Sequence, residues 1–191
     1  MKYTKEFIED KIKLWVDNNL QGFTFREHQF ETITNIIYNI SNNLLHTQVI
    51  EAPTGIGKSI IIIISSGVLS ESPFNKNSYI LCSDLFLWEQ YASFIIKNKI
   101  NFGYIKGQTG NYCCKLNDQD IKNSESMIEK IPWFKLMDKN LAKHEGYDCA
   151  IECEYIKDRK RALESKVTLM TYQLFLYQTG NKDRRDKDQN G

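Results

Sequence analysis

Eight consecutive residues, Ala52-Pro53-Thr54-Gly55-Ile56-Gly57-Lys58-Ser59, carry the most specific chemistry in the chain. Gly55 and Gly57 have no Cβ to obstruct the backbone, so successive N–H groups can curl around an anion. A helix that starts after them offers its positive end to the same anion. Lys58 adds a point charge for the outer phosphates, and Ser59 adds a hydroxyl that can hold Mg²⁺ against the phosphate oxygens. The pattern GxxxxGK[ST] is met except that Ala52 stands at its first position, a common relaxation. The loop is therefore expected to bind a nucleoside triphosphate, with ATP the expected ligand. Thr54, Gly55, Ile56, Gly57, Lys58 and Ser59 are its candidate contacts, and Lys58 and Ser59 the chemically active ones.

Cysteine is the second residue type with chemical potential. The chain has five cysteines, of which Cys113, Cys114, Cys149 and Cys153 all fall after residue 112. The N-terminus leads into a charged amphipathic stretch instead of an apolar signal core. The apolar run from Ile60 to Leu69 is well short of the roughly 18 residues a membrane span needs. The expectation is an intracellular protein, cytoplasmic or nuclear, in its own cell or a virus's host, with no membrane partner. In that reducing compartment cysteines are thiols or metal ligands rather than disulfides. Cys82 ends an apolar strand and reads as a small buried hydrophobe.

These residues must be positioned by a fold. The 41% hydrophobic and 26% charged fractions fit a soluble globular chain and exclude wholesale disorder. A formal net charge of +1 gives no global basic field, so a nucleic-acid contact must come from a local stripe. Apolar positions Phe7, Ile8, Ile12, Leu14, Trp15 and Leu20 predict a helix over residues 5–20, and residues 25–40 repeat the pattern. Residues 47–52 predict a short buried strand entering the phosphate loop, and residues 58–69 a helix leaving it. A second strand is expected at 78–82, followed by a helix capped by Ser83 or Asp84, and a third strand at 102–106. Strand character returns at 167–172, with a helix beginning at 173. Alternating strands and helices argue for a parallel sheet with both faces covered.

The motifs around the loop resemble those of superfamily 2 helicases. Arg26-Glu27-His28-Gln29 resembles the RxxQ element, which implies that Gln29 reads the adenine edge with Arg26 beside it. Residues 52–59 look like the AxTGxGK[ST] form of helicase motif I. Ser83, Leu87 and Gln90 fit the TxxxLxxQ of motif Ia, which implies that Ser83 lies near the nucleic-acid backbone. Residues 107–114 are similar to the GRxNYxC that opens the iron–sulfur insertion of XPD/DinG-type helicases. Cys149, Cys153 and Tyr155, then Arg159 and Ala162, resemble the stretch that closes it. Residues 167–176 resemble the segment that follows, so the likeness covers about residues 22–178.

The resemblance implies an α/β, RecA-like P-loop domain with a parallel sheet, incomplete at its C-terminus and carrying a cysteine-containing insertion. The expected organisation is 1–106 for the N-terminal helices and first part of the core, 107–160 for the insertion, 161–178 for the return to the core, and 179–191 for a polar tail. Cys114, Cys149 and Cys153, completed by Cys113 or His144, would hold a [4Fe–4S] cluster or, alternatively, Zn²⁺. The implied partners are DNA, single-stranded or at a duplex junction, and a second RecA-like domain. The family's DEAH strand follows the segment matched by 167–176 and has no counterpart here, so this chain is expected to bind nucleotide and hydrolyse it poorly. The implied activity is ATP-dependent DNA unwinding. A non-hydrolysing ATP- or DNA-binding module and a P-loop kinase are the alternatives. Trp133, Phe134 and Leu141 read as packing residues of the insertion or a base-stacking surface. The run 157–161 reads as a solvated helical face or a contact to a DNA backbone.

Overall fold

The computed structural model describes residues 2–45, 47–51, 53, 55–107 and 154–177. Helix α1, Lys5–Asn19, is capped by Thr4, whose hydroxyl accepts the Phe7 N–H at 3.3 Å. Its buried residues Ile8, Ile12, Trp15 and Val16 follow helical spacing, whereas Phe7 and Leu14 lie on exposed faces. Helix α2, Gln29–Ser41, buries Gln29, Ile33, Thr34 and Ile37. Helix α3, Lys58–Ser70, is apolar nearly throughout, and its Gly67 lets the Trp15 indole lie directly against its backbone.

Strand β1, Ser78–Cys82, leads into helix α4, Leu85–Lys97, then strand β2, Gly103–Tyr104, helix α5, Glu154–Glu164, and strand β3, Val167–Thr171. The sheet order is β1-β3-β2, with β3 parallel to both neighbours. Ser78 pairs with Val167 and Cys82 with Thr171, while Gly103 pairs with Thr168. A further helical turn covers residues 172–177. The α/β alternation and the parallel sheet agree with expectation, although β2 is shorter than the anticipated 102–106.

Every residue of β3 is buried, as befits a central parallel strand covered on both faces. Val167 and Leu169 join the larger core with Ile80, Cys82 and the inner faces of α1 to α4. Met170 faces the other way, packing with Ile105 and Ala162 under Leu174 and Phe175. The Thr168 hydroxyl donates to the Ala162 carbonyl at 2.8 Å, which ties α5 to this second face. The boundary expected at residue 160 thus falls inside a helix packed on the sheet.

One local expectation differs from the structure. Residues 47–51 form no strand, and Val49 is 92% exposed. Strand character in a sequence is realised only by pairing with a neighbour and by burial on its faces. No described strand runs alongside this segment. β1 forms an edge of the described sheet, with Tyr79 and Leu81 exposed on it.

Candidate nucleotide site

The phosphate loop lies between α2 and the start of α3. Gly55 and Gly57 have φ of 87° and 84°, the left-handed region that side chains disfavour. A Cβ at Gly57 would lie 2.5 Å from Gln29 Nε2, so close approach also requires glycine there. Lys58 and Ser59 open α3 and are exposed, and the helix has no acidic residue in its first turn to oppose an anion. Ala52 and Thr54 lie outside the described residues.

The RxxQ element holds this loop from the α2 side. An Arg26 guanidinium nitrogen donates to the Gly55 carbonyl, and Gln29 Nε2 donates to the Ile56 carbonyl. Gln29 Oε1 in turn accepts the Arg26 N–H at 2.8 Å, and the whole side chain is only 1% exposed. In a trans peptide, one residue's carbonyl and the next residue's N–H point in opposite directions. Fixing the Gly55 and Ile56 carbonyls toward α2 therefore turns the Ile56 and Gly57 N–H groups away from it, as a phosphate cradle requires. An amide oxygen has two lone pairs and an amide nitrogen two hydrogens, so Gln29 keeps one of each beyond these bonds.

Beside the loop is a cleft of about 270 Å³. Phe23, Ile60, Ile63 and Phe94 give it apolar walls, and Gln29 and Ser59 present polar groups to it. Tyr91 of α4 completes it and is hydrogen-bonded through its phenol to the Ser59 side chain. Burial raises the Tyr91 pKa, with the Ser59 bond acting in the opposite direction. Glycine freedom, a lysine, a free first-turn hydroxyl and an apolar cleft together fit a magnesium–nucleoside triphosphate.

At the other end of α4, the Ser83 hydroxyl donates to Asp84 Oδ2 at 2.8 Å, while Asp84 Oδ1 accepts the Leu87 N–H at 2.8 Å. The residue expected near a nucleic-acid backbone therefore sits beside a carboxylate that caps the helix. Cys82 is 1% exposed, and burial first, then the Asp84 charge, pushes its thiol up to about 11. It is the inert buried thiol expected. In the basic run, Arg161 pairs with Asp158 at 3.3 Å and its guanidinium lies 4.9 Å from the centre of the Tyr104 ring. Lys160 pairs with Glu164 at 3.8 Å.

Cys113, Cys114, Cys149, Cys153 and His144 lie outside the described residues, as do Trp133, Phe134 and Leu141. Among the described residues there is no cluster of three metal-ligating side chains, and no helix is long and apolar enough to cross a membrane. Tyr91 and Phe23 were not anticipated from the sequence. The one available signal for Tyr91 was its place directly after Gln90, the last residue of the motif Ia pattern.

A small parallel sheet, a glycine-turned loop and a helix springing from it define an α/β P-loop domain consistent with the RecA-like helicase fold. A family model described as "Type III restriction enzyme, res subunit" matches residues 22–191, and the chain belongs to that family, a helicase-type, ATP-binding domain of superfamily 2. A protein named "Putative helicase 22", from Sulfolobus islandicus filamentous virus (isolate Iceland/Hveragerdi), is 27% identical over 92 residues. The match covers 48% of this chain and 16% of that protein, so the chain corresponds to a small part of its relative's length. No solved structure matches the chain.

Proposed function

We propose that this chain is the nucleotide-binding part of an ATP-dependent DNA helicase of the XPD/DinG type. The observation that carries the reading is the pinning of the Gly55 and Ile56 carbonyls by Arg26 and Gln29, ahead of exposed Lys58 and Ser59. In this reading Lys58 binds the outer phosphates, Ser59 ligates Mg²⁺, and the loop N–H groups surround the remaining phosphate oxygens. Bound Mg²⁺ bridges phosphate oxygens and neutralises their charge. Arg26 orients the loop, and Gln29 offers the adenine edge its spare hydrogen and lone pair from the wall of the apolar cleft. Thr54 completes the loop's contacts. A second RecA-like domain closing on the nucleotide would convert binding into movement along DNA, with the segment between α4's following strand and α5 engaging a duplex junction.

Cys113, Cys114, Cys149 and Cys153 are assigned to an iron–sulfur cluster on the resemblance of their flanking motifs, with Zn²⁺ the alternative. Visible absorption by the anaerobically purified protein supports iron, and a colourless protein with one bound zinc refutes it. The nucleotide assignment is tested by titrating a fluorescent ATP analogue in the presence of Mg²⁺. Lys58→Ala removes a charge-assisted contact and should weaken binding about 10- to 100-fold. Equal affinity in the variant would sink the assignment.

A further inference from the structure

We propose that Tyr91 is a positioning residue for the Mg²⁺ ligand Ser59, an inference that rests on the phosphate-loop reading above. A serine hydroxyl has one proton and two lone pairs. To present a lone pair to a cation it must send its proton elsewhere, either to solvent or to a fixed acceptor. Ser59 stands on the exposed first turn of α3, where the rotor is otherwise free. The Tyr91 phenol, on the separate helix α4 and 6% exposed, is bonded to it across the cleft.

Tyr91 is suited to this task. Its ring is held by burial beside Trp88, Ala92 and Ile95 on the inner face of α4, so the phenol oxygen has a defined place. A phenol oxygen accepts a hydrogen bond without bringing a negative charge that would itself compete for the cation. The Ser59 proton is directed toward α4, and the hydroxyl's remaining lone pairs are left for the metal. Removing the phenol oxygen frees the rotor while leaving the ring, its packing and the loop N–H groups in place.

The test compares affinity for a fluorescent ATP analogue with Mg²⁺ and with EDTA, in wild type, Tyr91→Phe, Ser59→Ala and the double variant. In Tyr91→Phe the gain in affinity conferred by Mg²⁺ should fall about 2- to 10-fold, the worth of one hydrogen bond, with affinity in EDTA unchanged. Ser59→Ala should abolish the gain, and adding Tyr91→Phe to it should change nothing more. An undiminished gain in Tyr91→Phe overturns the inference. So does an equal loss with and without Mg²⁺, because that is the signature of a packing residue. If wild type shows no Mg²⁺-dependent gain at all, the phosphate-loop reading fails and takes this inference with it, a result distinct from either of the others.

Discussion

Cys82 shows how a single side chain's surroundings decide what it can do. A thiol with the ordinary pKa of 9.0 is about one-tenth ionised near pH 8, whereas one raised to about 11 is about one-thousandth ionised. Thiolate is the nucleophile, so alkylation of Cys82 in the native protein should be at least about 100-fold slower than in denaturant. Time-resolved labelling read by mass spectrometry of the Cys82 peptide checks this, and equal rates would contradict the burial. Cys82 was legible in the sequence because a short thiol ending an apolar strand has one common use. The phosphate loop was legible for a related reason: each residue type in it answers to a requirement of the phosphate. Tyr91 was not, because its role arises from where α4 lies relative to α3, and no local pattern encodes that distance. The bonds of Gln29 to the loop were hidden in the same way.

At the scale of elements, glycine and capping residues set how helices meet. A Cβ on Gly67 would lie 2.3 Å from the Trp15 ring, and Trp15 is itself buried with no open space to retreat into. Gly67→Ala gains about 1 kcal/mol of helix propensity but overpacks the α1–α3 contact, which typically costs about 1–3 kcal/mol and here more than offsets the gain. Urea unfolding should show a net loss of stability, and an increase would mean that α1 can shift. The cap of α4 makes a prediction that depends on pH. The Leu87 N–H first, and the Ser83 hydroxyl second, hold the Asp84 carboxyl below its ordinary value of 3.8. A carboxyl depressed in the folded state stabilises the fold fully above its unfolded pKa, and loses that effect as pH falls through its folded pKa. Asp84→Ala should therefore lower the thermal midpoint at neutral pH, with the gap to wild type closing on acidification. Both caps and the helical faces of α1 and α4 could be read from spacing alone. The segment at 47–51 could not, since its apolar residues state a preference for burial but not whether a neighbouring strand is there to provide it.

Across the whole molecule, the chain leaves the sheet after Gly107 and is next described at Glu154, and the topology sets where those two points lie. β2 and β3 are parallel, so the crossover helix α5 must run back against the strand direction. A Cβ at Gly103, the start of β2, would lie 2.6 Å from Ala162 Cα, near the end of α5. The start of α5 is consequently brought toward the far end of β2, beside the point where residue 107 departs. From Gly103 to Gly107 the chain spans about 13 Å of extended backbone, and from Ala162 back to Glu154 about 12 Å of helix, so the remaining gap is short. Replacing residues 108–153 with a flexible linker of about eight residues should keep α5 on the sheet and leave Mg²⁺-dependent binding of the ATP analogue within about 2-fold of the full chain. The same deletion removes Cys113, Cys114, Cys149 and Cys153, so any iron or zinc that co-purifies with the full chain should be absent from it. Calorimetric titration and metal analysis of the two proteins side by side make the comparison. Loss of nucleotide binding on deletion would show that the segment supports the phosphate loop and is not an excursion from a self-sufficient core. Retention of the metal would place its ligands elsewhere and remove the physical basis for assigning it to those four cysteines.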